Sequence, residues 1–324
     1  MSNATRELTF SEAIREAYVE EMTRDPNVVM AGTSIQAPTF PHSKGLCELF
    51  GAARVMDTPI VESTLALWAM GAAQEGLRPI ADFMFGGFSY YAASEICLAS
   101  GQYYLLHGSQ LPLPMVFIAT CGTGRRLGED HSVLPTGMLI HHPGVKVCMP
   151  STPYDAKGLM KAAIRDNNPV YFLWNTGLMM NKGPVPDEDY VVPLGAADVK
   201  REGVDVTVLA AGMQTHHALQ AAEHLAGEIS VEVVDPRSFA PFDLKTVLGS
   251  VQKTSRLLVV DEDFERAGFA ADVAAQVTEH AYDFLDAPVR RLCLPQMPIP
   301  GGYAEGNIVI TPERIEAAVR AMCR

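Results

Sequence analysis

RVMDTPIVESTLALWAMGAAQEGLRPIADFMF, residues 54–85, decides the fold of this 324-residue chain. A short apolar strand through Val55 and Met56 breaks at Asp57-Thr58-Pro59, where proline ends regular pairing. From Ser63 onward a run of Leu, Ala, Trp and Met reads as a helix closed by Gly76, the residue type that a helix C-terminus favours. Arg78 to Phe85 is apolar again and too short for a second helix, so it reads as a buried strand. Strand, helix and strand in immediate succession form the unit of a parallel sheet.

The same alternation extends in both directions. Upstream, TFSEAIREAYVEEMTRD places Phe10, Ile14, Ala17 and Tyr18 on one helical stripe, with Thr9 or Ser11 as cap and an end near Asp25-Pro26. NVVMAGTSI follows as a buried strand. Downstream, PMVFIATC, VKVCMP and NPVYFLW read as strands, with helical stretches at Ser89–Leu106, Pro135–Ile140 and Tyr154–Asp166. Residues 181–205, rich in Pro, Gly and acids, lack a sustained apolar stripe and read as a linker. Beyond them VTVLAAG, HHALQAAEHLAGE, ISVEVVDPRS, LKTVLGSVQKT, RLLVVDED, GFAADVAAQVTEHAYDFL and VRRLCLP make a second, smaller set of strands and helices. The expected fold class is therefore α/β, a doubly wound parallel sheet in residues 1–190 followed by a smaller α/β domain in residues 191–324.

Composition removes several functions. Hydrophobic residues at 48% suffice for two cores and exclude a disordered adaptor. Twenty-five basic against 38 acidic residues leave a formal charge of -13 without a basic cluster, so neither nucleic acid nor an anionic membrane is an expected partner. The six cysteines, at 47, 97, 121, 148, 293 and 323, form no CxxC pair and are expected as reduced, mostly buried thiols. No basic segment followed by an apolar run opens the chain, so a soluble cytoplasmic protein is expected. Ser2, Asn3 and Ala4 fit a cloning remnant.

Motifs narrow the chemistry further. GxxxxGK[ST], GxSxG and HExxH are all absent, which sets aside P-loop, α/β-hydrolase and zincin chemistry. Gly122-Thr123-Gly124-Arg125-Arg126, after the strand PMVFIATC, has the make-up of an anion nest, against the plainer reading of a flexible loop. The adjacent pairs His141-His142 and His216-His217 point about 100° apart on a helix, so they are read as packing or surface residues rather than ligands. His131 lies in a Gly-rich charged loop after a strand, where functional side chains collect in α/β proteins. Glu62 stands where a strand loop meets an apolar helix. That environment can desolvate its carboxyl and favour proton exchange with a heterocycle, although a helix N-terminal acid also serves the helix dipole.

Taken in order, RVMDTPIVES, GLRPIADFMFGGFSYYAASEI, EDHS, HHPGVKVCMPSTPYDAKGLMKAAIRDNNPV, VPLGAADVKREGVDVTVLAAG and VEVVDPRSFAPFD closely resemble the beta chain of the thiamine-diphosphate-dependent 2-oxoacid dehydrogenases. That family includes the pyruvate, branched-chain and acetoin enzymes and is similar to part of transketolase. PSTPYDAKGL, residues 150–159, is the most specific block. The resemblance implies a pyrimidine-binding domain followed by a transketolase-type C-terminal domain. It implies thiamine diphosphate with magnesium, the diphosphate and metal being held by a GDG motif in a separate alpha chain. This sequence has no GDG, so an alpha subunit in an α2β2 heterotetramer is implied as partner, with a lipoyl acyltransferase as a further one.

Site residues follow from the same resemblance. Glu62 falls on the glutamate that shares a proton with the aminopyrimidine, and Phe88 on the aromatic residue packed against that ring. His131 falls on the histidine facing the reacting carbons, and Met84 stands in the cofactor-binding segment at a usual Gln. Ala163, Asp166 and Asn168 match a stretch whose carbonyls hold a structural potassium ion. Met84, Gly87 and Val133 replace a usual Gln, Asp and Gln, which implies a roomier, less polar pocket for a small carbonyl substrate: a 2-oxoacid, an acyloin or a diketone. A split transketolase-like carboligase without a lipoyl partner and a non-catalytic stabilising subunit are the alternatives.

Overall fold

The computed structural model describes residues 5–323, so Ser2, Asn3 and Ala4 lie outside the described residues. A seven-stranded sheet runs in the order Ser238–Ala240, Lys146–Cys148, Val170–Asn175, Val116–Cys121, Arg78–Phe85, Val28–Gly32, Val55–Asp57. All neighbours are parallel except the first pair. A second sheet of five strands runs Arg290–Leu294, Leu257–Phe264, Val206–Ala210, Val231–Asp235, Asp198–Arg201, parallel but for its last pair. The two expected α/β domains, a larger one followed by a smaller, are both present. Strand Ser238–Ala240, from the second half of the chain, completes the edge of the first sheet.

Alternation along the strands assigns the faces. Ile80, Val116, Ile118, Val170 and Phe172 pack under helices Phe10–Arg24 and Pro153–Arg165. Ala81, Phe83, Phe117, Ala119 and Tyr171 face the opposite way, toward Leu65, Ala66 and Ala69 of helix Glu62–Gln74. This second apolar layer continues without a break into Leu209, Val234, Val259 and Phe269, so the two sheets share a core. The first helix starts at Thr9 through a reciprocal cap with Glu12, which satisfies donors left open at a helix start.

Two expectations change. Residues 181–205 are not a plain linker: Lys182–Pro186 pairs antiparallel with Thr5–Thr9, and Asp198–Arg201 pairs with Val231–Asp235. Each is a short edge strand held by main-chain hydrogen bonds, which leave little trace in side-chain pattern. The cysteines are free, but only Cys97, Cys121 and Cys148 are buried; Cys47, Cys293 and Cys323 are half-buried. No helix among the described residues is long and apolar enough to cross a membrane.

The block PSTPYDAKGL has a structural explanation. Thr152 caps helix Pro153–Arg165 by accepting the Asp155 N–H, and Pro153 occupies the first helical position, where a missing N–H is harmless. A side chain at Gly158 would meet Val192 at 2.4 Å. Buried Asp155 pairs with Lys200 at 2.7 Å and with Arg237 at 2.8 Å, and Ser151 donates to Asp235. The segment thus bolts the two sheets together rather than lining a site.

At the end of strand Leu257–Phe264, buried Glu262 and Asp263 also join the domains through Thr123, Asn175 and Thr136, while Asp261 beside them accepts the Ala270 N–H of its own domain. Burial, with Asp263 close by, pushes the Asp261 carboxyl up to about 7, and burial pushes Asp235 up to about 6. A carboxyl with a raised folded-state pKa keeps its proton better in the folded than in the unfolded chain. Its contribution is full at low pH and is lost as pH rises through the folded value. Thermal stability is expected to fall between about pH 4 and about pH 7, and Asp261→Asn to remove about half of that slope. Melting curves across the range check this, and a slope unaltered in the variant would contradict it.

Candidate active site

The carboxyl ends of four neighbouring strands of the first sheet meet at one edge, where open parallel sheets form their sites. The loop after Val28–Gly32 is tied down by Asp57, whose Oδ1 accepts the N–H groups of Ile35 at 2.7 Å and Gln36 at 2.9 Å. Thr58 N–H donates to the Gly32 carbonyl at 2.9 Å. The turn Asp57 to Val61 is therefore fixed before helix Glu62–Gln74 begins.

A cavity of about 290 Å³ opens here, lined by Thr33, Glu62, Asp82, Met84, Phe88 and Tyr91 and by the apolar side chains of Ile60, Val61 and Leu65. Glu62, Met84 and Phe88, brought to one place in the sequence by resemblance alone, share its wall. Glu62 is half-buried at the first position of its helix. The rim is apolar and open, with Ile60 73% and Tyr91 66% exposed, far more than isolated surface residues of this kind need be.

His131 does not line this cavity. Its ring meets Phe88 edge to face at 5.5 Å and Phe85 at 4.4 Å between centroids, so it stands beside the aromatic wall. Phe85 and Phe88 in turn meet at 5.7 Å. Strand end, turn and the short helix Glu129–Ser132 form one aromatic cluster that fixes Phe88 from behind.

The pocket expected from three substitutions needs correction. Met84 lines the cavity, but Gly87 leaves no extra room: a Cβ there would sit 2.4 Å from the Asp130 carbonyl oxygen. The backbone of Glu129–Ser132 already fills the space. Val133 is 4% exposed and packs with Val206, Val208 and Val260 of the second sheet, away from Glu62. Gly87→Ala is expected to push the His131 segment aside and lower stability by about 1–3 kcal/mol, the usual cost of overpacking. A thermal melt indistinguishable from that of the parent chain would contradict the close approach.

Other candidates are placed elsewhere. The nest at Gly122–Arg126 is filled by the chain's own acids: Thr123 donates its N–H and hydroxyl to Glu262 at 3.1 and 2.7 Å, and Arg126 N–H donates to Glu305 at 2.6 Å. His216 Nε2 lies 2.7 Å from the Ser151 carbonyl and His217 Nδ1 2.9 Å from the Ile310 carbonyl, so this pair packs. Near Ala163 and Asn168, the Asp166 carbonyl accepts from Arg78 at 2.9 Å and its carboxylate pairs with Lys146. Two side-chain cations thus engage the stretch matched to potassium. Asp82 and His42 are not legible as site residues in the sequence: the signal for Asp82 is one acid within the strand Arg78–Phe85, and His42 offers none.

Comparison with known proteins agrees with this architecture. Residues 6–181 match the transketolase pyrimidine-binding domain and residues 195–315 the transketolase C-terminal domain. The chain is 39% identical over 326 residues to the beta subunit of acetoin:2,6-dichlorophenolindophenol oxidoreductase from Bacillus subtilis (strain 168), covering 96% of this chain and 95% of that one. It is 40% identical over 322 residues to the 2-oxoisovalerate dehydrogenase beta subunit of the same organism, covering 97% and 98%. A solved split-gene transketolase, an inactive beta4 tetramer, shares the fold with a TM-score of 0.78 at 22% identity, over 98% of this chain and 99% of that one. Two collinear domains, their full-length match and the shared fold make this chain a member of the beta-subunit family of thiamine-diphosphate-dependent 2-oxoacid and acetoin dehydrogenases.

Proposed function

We propose that this chain is the beta subunit of a thiamine-diphosphate-dependent dehydrogenase acting on a 2-oxoacid, acyloin or diketone. The observation that carries this reading is the half-buried carboxylate of Glu62 on the wall of a mostly apolar cavity beside the Phe88 ring, where the other lining acid, Asp82, is already engaged by His42 and the Met84 N–H. A flat heteroaromatic ring with a basic nitrogen fits such a wall, since the aromatic and aliphatic groups cover its faces and the carboxylate meets its edge. When bound, thiamine diphosphate supplies an acidic carbon whose anion attacks a carbonyl. Glu62 holds and returns a proton at a ring nitrogen, Phe88 and Met84 fix the ring's position, and His131 moves a proton near the carbonyl group.

The absence of a GDG segment supports an alpha subunit, in an α2β2 assembly, as holder of the diphosphate and magnesium. The exposed apolar rim at Ile60 and Tyr91 is the surface such a partner would cover. Relatives of 39–40% identity are named for acetoin, 2-oxoisovalerate and pyruvate, the range of carbonyl compounds that the proposal covers. Transfer of the acyl unit to lipoamide on an acyltransferase completes the proposal. Its test is a titration of thiamine diphosphate into the assembled complex, where binding with magnesium is expected and its absence would overturn the reading.

A further inference from the structure

Reaching the cavity wall through Asp82 is a buried pair with no part in the chemistry assigned to Glu62. His42 and Asp82 are 2% and 6% exposed, and His42 Nε2 lies 2.8 Å from Asp82 Oδ2. The other carboxylate oxygen, Oδ1, accepts the backbone N–H of Met84 at 2.8 Å. Met84 has a φ of 66°, a left-handed conformation that costs an L residue about 1–2 kcal/mol. Its carbonyl accepts the Thr120 hydroxyl at 2.9 Å, so both main-chain groups of this strained residue are held.

His42 is itself fixed. Its ring lies 5.5 Å from Trp174, 6.2 Å from Phe40 and 6.2 Å from Tyr18, centroid to centroid, and Nδ1 has no hydrogen-bond partner among the described residues. Asp82 has little freedom either, because Gly32 approaches so closely that a Cβ there would lie 2.6 Å from the Asp82 carbonyl oxygen. A buried carboxylate needs hydrogen-bond donors on both oxygens, and with Asp82 ionised they are the Met84 N–H and the Nε2–H of His42.

We propose that His42 and Asp82 are positioning residues for the ligand cavity: His42 pins Asp82, Asp82 pins the left-handed Met84, and Met84 and the turn to Phe88 are thereby set against the ligand. The consequence for binding rests on the reading that this cavity takes the cofactor's ring, whereas the clamp itself is independent of it. Reverting Met84 to negative φ would turn its side chain off the wall and redirect residues 85–88.

The test is residue-specific hydrogen–deuterium exchange at the Met84 amide, paired with thiamine diphosphate titration of the assembled complex. His42→Phe keeps a ring but offers no donor, and is expected to speed Met84 exchange and weaken cofactor binding about tenfold each, the worth of one hydrogen bond to a charged group. His42→Gln, whose amide can reach Asp82, is expected to stay within about threefold of the parent in both. Where His42→Phe does not fold, His42→Asn, one methylene too short for the contact, replaces it with the same expectation. Parent-like exchange in the Phe or Asn variant, equal loss with Gln, or faster exchange at unchanged cofactor affinity would each overturn the proposal. A parent complex that binds no thiamine diphosphate would count against the function proposed for the cavity, with the exchange rates still deciding whether His42 holds Met84.

Discussion

Glu62→Gln is expected to lower turnover and the exchange of the thiazolium proton of bound thiamine diphosphate by about 10² or more, the usual loss when a general acid–base group is removed. Gln has the length and shape of Glu and sits at the first turn of helix Glu62–Gln74 without a steric cost. What it lacks is a site that can accept and return a proton. Cofactor affinity should change far less, because the apolar wall of Val61, Leu65, Met84 and Phe88 is untouched. Loss of a negative charge at a helix start costs about 0.3–1 kcal/mol, too little to unfold the domain. The readout is deuterium incorporation at the thiazolium carbon, followed by quenching and NMR of the released cofactor. An unaltered exchange rate would mean that another group does this work.

The chain alone is expected to bind thiamine diphosphate at least about 10²-fold more weakly than the complex with its alpha subunit, because most of the binding energy of such a cofactor resides in its charged diphosphate and metal. The cavity offers that end of the molecule nothing. Its lining has two carboxylates, Glu62 and Asp82, no Lys or Arg, and otherwise uncharged side chains. The nest at Gly122–Arg126 is taken by Glu262 and Glu305. Addition of the partner should also protect Ile60 and Tyr91, now largely exposed, from solvent. Calorimetry on both samples, with magnesium present, measures the difference. Micromolar binding by the chain alone would place a diphosphate site within it and remove the need for an alpha subunit.

Much of this was legible in the sequence because it is local. Strands such as Val116–Cys121 and Val170–Asn175 are buried throughout and apolar but for Thr120 and Asn175, since both their faces are covered, and helix Phe10–Arg24 carries its stripe and its cap in adjacent residues. Glu62, Met84 and Phe88 could be named from family resemblance because they sit at fixed offsets from such elements. Short edge strands such as Lys182–Pro186 could not, since main-chain pairing with Thr5–Thr9 involves a partner far away in the chain.

The sequence by itself determined the order of the buried central strands and their helices and the two-domain α/β class, which follow from periodicity, and the beta-subunit family, which follows from collinear motifs. Only the tertiary structure decided which side chains share a cavity. Gly87 reads as a lost carboxylate in one dimension, yet in space the Asp130 backbone occupies its place. Val133 reads as a pocket residue and is in fact core. His42 and Asp82, far apart in the chain, become one hydrogen-bonded pair. The physical reason is common to all three: close packing and hydrogen bonding act over a few ångströms between groups that the chain brings together only when it folds.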